Sequence, residues 1–115
     1  MRYSKKAIVC RLLKDYKNHY QNLLKEDNPK EYVINNKLEW GVCNYTLLTY
    51  PELSSMTIKI DSWYSCNTTY WYNIAKYCKD KRQIIDCIKK RVDILETIYY
   101  NELSFLEKII YNIKK

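Results

Sequence analysis

The last third of the chain carries apolar residues at steps of three and four, which is the period of an α-helix. These residues are Ile84, Ile85, Ile88, Val92, Leu95, Ile98, Tyr99, Leu103, Leu106, Ile109, Ile110 and Ile113. No Gly or Pro interrupts them, and Asp80 followed by Gln83 forms a capping-box pattern at the start. The pattern predicts a helix over about 80–113, about 50 Å long, that is either the spine of the domain or broken once. If the helix is broken, we expect the break at Tyr100-Asn101, where Asn101 would cap a second helix.

Two shorter helices are predicted before this segment. Apolar residues at helical spacing line one side of residues 4–25, with Ser4 as a suitable N-cap and Pro29 beyond the end. His19 lies at the edge of this apolar side, and we interpret it as structural. A second run with helical spacing covers about 38–50 and ends at Pro51. Its apolar face consists of Trp40, Cys43, Leu47 and Tyr50.

Residues 55–61 have a different pattern, because Met56, Ile58 and Ile60 alternate with polar residues as in a half-buried strand. A single strand is not stable alone, so it needs a partner, either residues 32–34 or the segment around Tyr70. One Gly and two Pro in 115 residues leave few tight turns, which favours helices. The sequence therefore predicts one mainly α domain, to which the strand pattern would add a short two-stranded β patch (α+β) if a partner strand is present.

Five cysteines, an odd number without a Cys-x-x-Cys pair, predict free thiols in a reducing compartment. They are Cys10, Cys43, Cys66, Cys78 and Cys87. Zinc sites need closely spaced ligands, and the chain has one His, so a zinc site formed by the last four cysteines is the weaker alternative. No signal sequence or apolar run of about twenty residues is present. We expect a cytoplasmic protein with no cofactor and no membrane contact.

The basic residues, 20 Lys and Arg against 13 Asp and Glu, are concentrated in two places. The first group lies on the predicted first helix, opposite its apolar side, and consists of Arg11, Lys14 and Lys25, with Lys17 beside them. The second group lies at the start of the long helix and consists of Lys76, Lys79, Lys81 and Arg82. Such runs are most often solvated faces, but with so few acids they are also typical of surfaces that bind a polyanion or an acidic partner.

Residues 63–77, WYSCNTTYWYNIAKY, contain six aromatic residues and one charge. Rigid aromatic rings among small polar residues are typical of protein-binding surfaces. We predict that Trp63 and Trp71 are largely core, and that outward contacts come from some of the tyrosines. The candidates are Tyr64, Tyr70 and Tyr72, together with Tyr77. The alternative is that the segment packs under the long helix as core.

No catalytic pattern is present: the sequence has no P-loop, no Gly-x-Ser-x-Gly and no His-Glu-x-x-His. The chain is therefore predicted to be a binding protein and not an enzyme. One class is a module that binds another protein. The other is a small basic DNA- or RNA-binding accessory protein, in which lysine and arginine side chains contact phosphates and aromatic rings stack on nucleobases. The oligomeric state is left open by the sequence.

Four segments together resemble a group of small phage and prophage accessory proteins. They are EWGVCNY at residues 39–45, YWY at 70–72, Cys78, and KKRVDIL at 89–95, within a region of about 39–98. Such genes often encode inhibitors of bacterial defence, anti-CRISPR proteins among them. The resemblance implies a non-catalytic inhibitor that binds a host defence nucleoprotein, such as a CRISPR effector nuclease, in the host cytoplasm. It brings no catalytic or ligand residues to this chain.

Overall fold

A computed structural model of the chain describes residues 4–51 and 73–114, except for the side chains of Cys43 and Leu47. These residues form six helices in chain order: α1 (Lys5–Leu24), α2 (Pro29–Asn35), α3 (Val42–Thr49), α4 (Ile74–Tyr77), α5 (Lys81–Asn101) and α6 (Phe105–Lys114). No strand occurs within the described ranges, and the fold is mainly α, as predicted. Of the helices described, none is long and apolar enough to span a membrane.

The two long helices α1 and α5 pack against each other and form the centre of the fold. They run antiparallel: Lys5, at the start of α1, is paired at 3.7 Å with Glu102, just after α5. At the other end, Lys81 Nζ lies 3.4 Å from the carbonyl oxygen of Leu24. Buried residues of both helices fill the space between them; they include Ile8, Val9, Leu12, Tyr16, Leu23, Ile84, Ile88 and Leu95. The apolar sides that the sequence indicates are the core-facing sides of these two helices.

Residues 32–34, considered above as a strand partner, are helical and belong to α2. Asn28 caps this helix by accepting a hydrogen bond from the Glu31 N–H at 3.3 Å. Pro29 follows in the first turn, where its missing N–H costs no helical hydrogen bond. Because residues 32–34 are helical, they cannot be the partner strand of the predicted β patch. The predicted strand itself, at 55–61, lies outside the described residues.

Helix α3 begins at Val42, later than the start near residue 38 that the sequence predicts. Lys37 has a left-handed φ of 62°, which interrupts helical geometry between α2 and α3. Leu38 and Trp40 lie in the connection before α3, where Leu38 is fully buried and Trp40 is 46% exposed, so their spacing does not reflect a helix.

The predicted long helix is divided into α5 and α6 at residues 102–104. Ser104 Oγ accepts from the Glu107 N–H at 3.3 Å, and Glu107 Oε1 accepts from the Ser104 N–H at 3.0 Å. This capping box starts α6. Asn101 stays in the last turn of α5. The single break therefore lies a few residues after the expected position, because Ser104 and not Asn101 provides the cap.

Arg91 is the unexpected residue of the core, since its side chain is 0% exposed. Its Nη1 donates a hydrogen bond to the Leu38 carbonyl oxygen at 2.9 Å, which ties α5 to the connection between α2 and α3. The phenol of Tyr16 lies beside it. Burial raises the pKa of Tyr16 to about 12, and the nearby Arg91 charge acts in the opposite direction.

Candidate basic binding surface

The outer side of α1 is a stripe of exposed polar and basic side chains. They are Lys14, Asn18, Gln21 and Lys25, which we call the outer stripe. Their spacing of three and four residues places them on one face of the helix, opposite its buried side. The outer stripe contains two lysines and no carboxylate.

The single acid of α1, Asp15, faces α3 instead of the outer stripe. Its Oδ2 accepts hydrogen bonds from the hydroxyl of Tyr45, at 3.1 Å, and from the hydroxyl of Tyr50. Burial, reinforced by the Asp15 carboxylate, raises the pKa of both phenols, that of Tyr50 to about 12. The carboxylate is thus occupied inside the fold, and the charge of the outer stripe is not neutralised by it.

His19 belongs to the same polar cluster. Its Nδ1 lies 2.8 Å from the Tyr32 hydroxyl and its Nε2 lies 3.3 Å from the Tyr45 hydroxyl, so the ring connects α1 with α2 and α3. Burial lowers the pKa of His19, and Asp15, four residues earlier, opposes this shift. Because both ring nitrogens face tyrosine hydroxyls, the cluster acts as a structural hydrogen-bond network, which agrees with the interpretation of His19 from the sequence.

Two of the basic residues predicted to bind a partner make contacts within the fold. The guanidinium carbon of Arg11 lies 4.4 Å from the centroid of the Tyr50 ring, a cation–π contact near the end of α3. Lys17 Nζ lies 3.1 Å from Glu96 Oε1 and links α1 to α5. Both side chains help to hold the helices together, so they are weaker candidates for a partner than Lys14 and Lys25.

A second basic group forms where the end of α1 meets the start of α5. The contact between Lys81 and the Leu24 carbonyl places Lys81 next to Lys25, the last residue of the outer stripe. A shallow groove of about 280 Å³ opens here. It is lined by Asp27, Asn28, Pro29, Lys30, Lys79, Asp80, Lys81 and Ile84. We call the four lysines in and beside the groove, Lys25, Lys30, Lys79 and Lys81, the basic end.

The acids of the groove only partly offset these lysines. Asp80 is the N-cap of α5, and its Oδ1 accepts from the Gln83 N–H at 2.8 Å. Asp27 is exposed. Lys30 was not predicted, because it stands alone between Asp27 and Glu31 in the sequence. Only the packing of α2 against α4 and α5 places it near Lys79.

Lys76 and Arg82 lie on the helices next to the groove but do not line it. The Lys76 Nζ lies 5.4 Å from the centroid of the Tyr77 ring, and Tyr77 is largely exposed. Arg82 is exposed on the first turn of α5. The structure therefore brings Lys25, Lys79 and Lys81 together, with Lys76 and Arg82 at neighbouring positions of the chain.

The predicted aromatic contact residues, Tyr64, Tyr70 and Tyr72, lie outside the described residues. Trp63 and Trp71 lie outside them as well. The aromatic contact surface therefore stays a prediction, and only Tyr77 of that segment is seen to be exposed.

The thiols that the structure describes are free. Cys10, Cys78 and Cys87 are unpaired, and burial raises the pKa of the Cys78 and Cys87 thiols. A raised pKa keeps these thiols protonated and weakly nucleophilic. In residues 4–51 and 73–114, no group of His, Cys, Asp and Glu has the arrangement of a metal site.

The arrangement as a whole suits electrostatic contact. Exposed lysines on the outer stripe and the basic end attract a negatively charged surface, and the shallow groove provides little enclosure for a small ligand. No protein-family model matches this chain, and the searches of curated proteins and of solved structures also find no match. The resemblance to phage accessory proteins thus stays a prediction.

Proposed function

We propose that this protein is a non-catalytic binding protein of the phage anti-defence type, which docks on a host defence nucleoprotein such as a CRISPR effector nuclease. The observation that carries the proposal is the run of exposed lysines from the outer stripe into the basic end, with the only acid of α1 turned inwards. The class of partner comes from the sequence resemblance. The place of action is then the host cytoplasm.

The lysines act by contacting phosphates of the nucleic acid that the partner holds, or acidic side chains around its groove. Each phosphate contact releases counterions, so the affinity falls as salt rises. Contacts between lysines and phosphates position a nucleic acid but carry no information on its base sequence. We therefore expect weak, sequence-independent binding to free nucleic acid and tighter binding to the nucleoprotein.

A small basic DNA- or RNA-binding accessory protein is the second candidate, because the same lysines fit an isolated phosphate backbone. The two functions differ in whether free nucleic acid is sufficient for tight binding. They can be separated by comparing partners in one experiment.

The test uses the immobilised full chain and biolayer interferometry with three analytes. These are a CRISPR effector nuclease loaded with guide RNA, the same effector without guide, and the guide RNA alone. We expect the loaded effector to bind most tightly, and its affinity to fall by at least tenfold between about 50 and 200 mM salt. Equal or tighter binding of the RNA alone would favour the second candidate, and no binding to the effector in either form would overturn the proposal.

Charge reversal on the surface gives a matched control. Lys14→Glu/Lys25→Glu changes two exposed residues of the outer stripe, whereas Lys37→Glu/Lys90→Glu changes two exposed lysines elsewhere by the same net charge. We expect the first pair to weaken binding at least tenfold more than the second, because direct contacts are lost in addition to net charge. Equal effects of both pairs would show that net charge alone drives binding and that the outer stripe is not the contact surface.

A further inference from the structure

Helix α6 presents an apolar face that the described part of the chain does not cover. Its members are Phe105, Leu106, Ile109, Ile110 and Ile113, which are 43–78% exposed. At 100° per residue these positions fall on one side of the helix, so they form a continuous patch. Large exposed apolar patches on soluble proteins usually mark an interaction surface.

The opposite side of α6 is attached to the rest of the bundle. Glu107 forms an ion pair with Lys6 of α1. The Tyr111 ring lies 5.6 Å from the Tyr100 ring of α5, and Lys108 Nζ lies 5.3 Å from the centroid of that Tyr100 ring. These contacts fix the orientation of α6, and its apolar face is directed away from the core.

We propose that this face binds the same face of a second copy of the chain, with the two α6 helices antiparallel about a two-fold axis close to Ile109. Ile109 lies midway between Phe105 and Ile113, so each helix then places its first apolar residue against the last one of its partner. The five side chains expose on the order of 500 Å² per copy, and their pairing buries roughly 1,000 Å² in total, the lower bound for a specific interface.

The charges around the face favour the antiparallel arrangement. Lys5 and Lys6, in the first turn of α1, form ion pairs with Glu102 and Glu107, so the charges around the start of α6 are close to neutral. Lys114 lies at the other end. Parallel pairing would bring the two Lys114 side chains together, whereas antiparallel pairing places each one beside the neutral end of the other copy.

An anionic membrane is the less favoured occupant of this face. Membrane-surface helices carry several lysines or arginines beside the apolar face. In α6, Lys108 lies against Tyr100 on the bundle side, and Glu107 adds a negative charge there. Among the described residues of α6, Lys114 is then the remaining cation for lipid headgroups.

The experiment measures the mass of the full chain by sedimentation equilibrium from low to high micromolar concentration. We expect a rise from the monomer mass of 14.1 kDa towards twice that value. Ile109→Glu places a charge at the two-fold axis, and we expect it to raise the dimer dissociation constant about a hundredfold. Circular dichroism of the variant should be unchanged, because Ile109 is 43% exposed on the outer face of α6 and is not one of the buried core residues.

Ile34→Glu is the matched control, since Ile34 is 48% exposed on α2 and Ile109 is 43% exposed on α6. This variant should dimerise like the unmodified chain. A monomer at every concentration overturns the proposal, and so does a dimer that persists in Ile109→Glu. Co-sedimentation with phosphatidylserine-containing vesicles, abolished by Ile109→Glu in a chain that stays monomeric, would assign the face to a membrane instead.

Discussion

The apolar residues of α5 pack against α1. The apolar residues of α6 have the same spacing of three and four, but they face outwards. In α5, Ile84, Ile88 and Leu95 are at most 1% exposed, while in α6 even the least exposed aliphatic residue, Ile109, is 43% exposed. The two helices are consecutive and separated by only three residues. The difference comes from their surroundings, since α1 packs along α5, whereas its ion pair with α6, between Lys6 and Glu107, lies in the first turn of each helix.

The comparison shows that a hydrophobic period specifies a helix and one of its faces, but not what that face contacts. A helix with one apolar stripe is stable only when the stripe is covered, because most helical stability in proteins comes from packing. Within the described part of the chain, α1 covers the apolar stripe of α5, but no described helix covers the apolar stripe of α6. A second copy would meet it for α6.

The largest expected effect is the loss of packing at the centre of α5. Leu95→Ala should lower the free energy of unfolding by about 2–5 kcal/mol, through lost burial and a cavity. Ile109→Ala in α6 should change it by less than about 0.5 kcal/mol, as for ordinary surface positions. Urea denaturation at low protein concentration, where the chain is monomeric, measures both values. Equal losses for the two variants would show that the face of α6 is buried in the monomer.

Much of this fold could be predicted from the sequence. The spacing of apolar residues indicates α1 and α5 and their buried sides, but it leaves open whether the last third of the chain is one helix or is broken once. The position of the break was less accurate, because Asn101 and Ser104 are both suitable caps and only the reciprocal bond with Glu107 decides between them. Helix α2 does not follow from the sequence, because its Tyr-Val-Ile run is typical of a strand and the Asn-Pro at its start also marks the end of α1.

The candidate site was predicted in part. Exposure of Lys14 and Lys25 follows from the helical period, but the contacts of Arg11 and Lys17 depend on which helices lie beside α1. Lys30 could not be selected from the sequence, since its neighbours in the groove are about fifty residues away. The burial of Arg91 could not be predicted from the sequence either, although this residue lies at helical spacing from the buried residues of α5.

Arg91 allows a second test, in which a polar contact of α5 is removed instead of an apolar one. Arg91→Met keeps much of the side-chain volume but leaves the Leu38 carbonyl without its donor at 2.9 Å. We expect a loss of about 1–3 kcal/mol, the cost of an unpaired buried polar group. The exposed neighbour substitution Lys90→Met should cost less than about 0.5 kcal/mol. If Arg91→Met is as stable as the unmodified chain, the free-energy cost of burying the guanidinium charge equals the stabilisation from its hydrogen bond to the Leu38 carbonyl oxygen.

Cap removal compares the two helices directly. Ser104→Ala removes the side-chain cap of α6 and should cost about 1 kcal/mol locally, which speeds hydrogen exchange of α6 amides by about fivefold. Asp80→Ala removes the equivalent cap of α5, but packing against α1 should keep the amides beyond its first turn protected. Native-state exchange measured by NMR distinguishes the two. Equal acceleration along both helices would mean that packing does not support α5 more strongly than α6.

The smallest effect is expected at the ion pair that joins α6 to α1. The hydrogen bond from Lys6, followed by the backbone N–H of Ser104, lowers the pKa of Glu107 from 4.5 to about 2. Since the pKa is lowered in the folded state, the contribution to stability is complete above pH 4.5 and is lost as the pH falls towards 2. Both side chains are exposed, so solvent screening keeps this contribution small.

A carboxyl NMR titration measures the Glu107 pKa directly. In Lys6→Met the pKa should rise towards 4.5 but stay below it, because Ser104 still donates to the carboxylate. In Lys5→Met, which breaks the neighbouring pair with Glu102, the Glu107 pKa should stay near 2. A Glu107 pKa that is normal in the unmodified chain would show that α6 is not held at this position. The orientation of its apolar face would then rest on the tyrosine contacts alone.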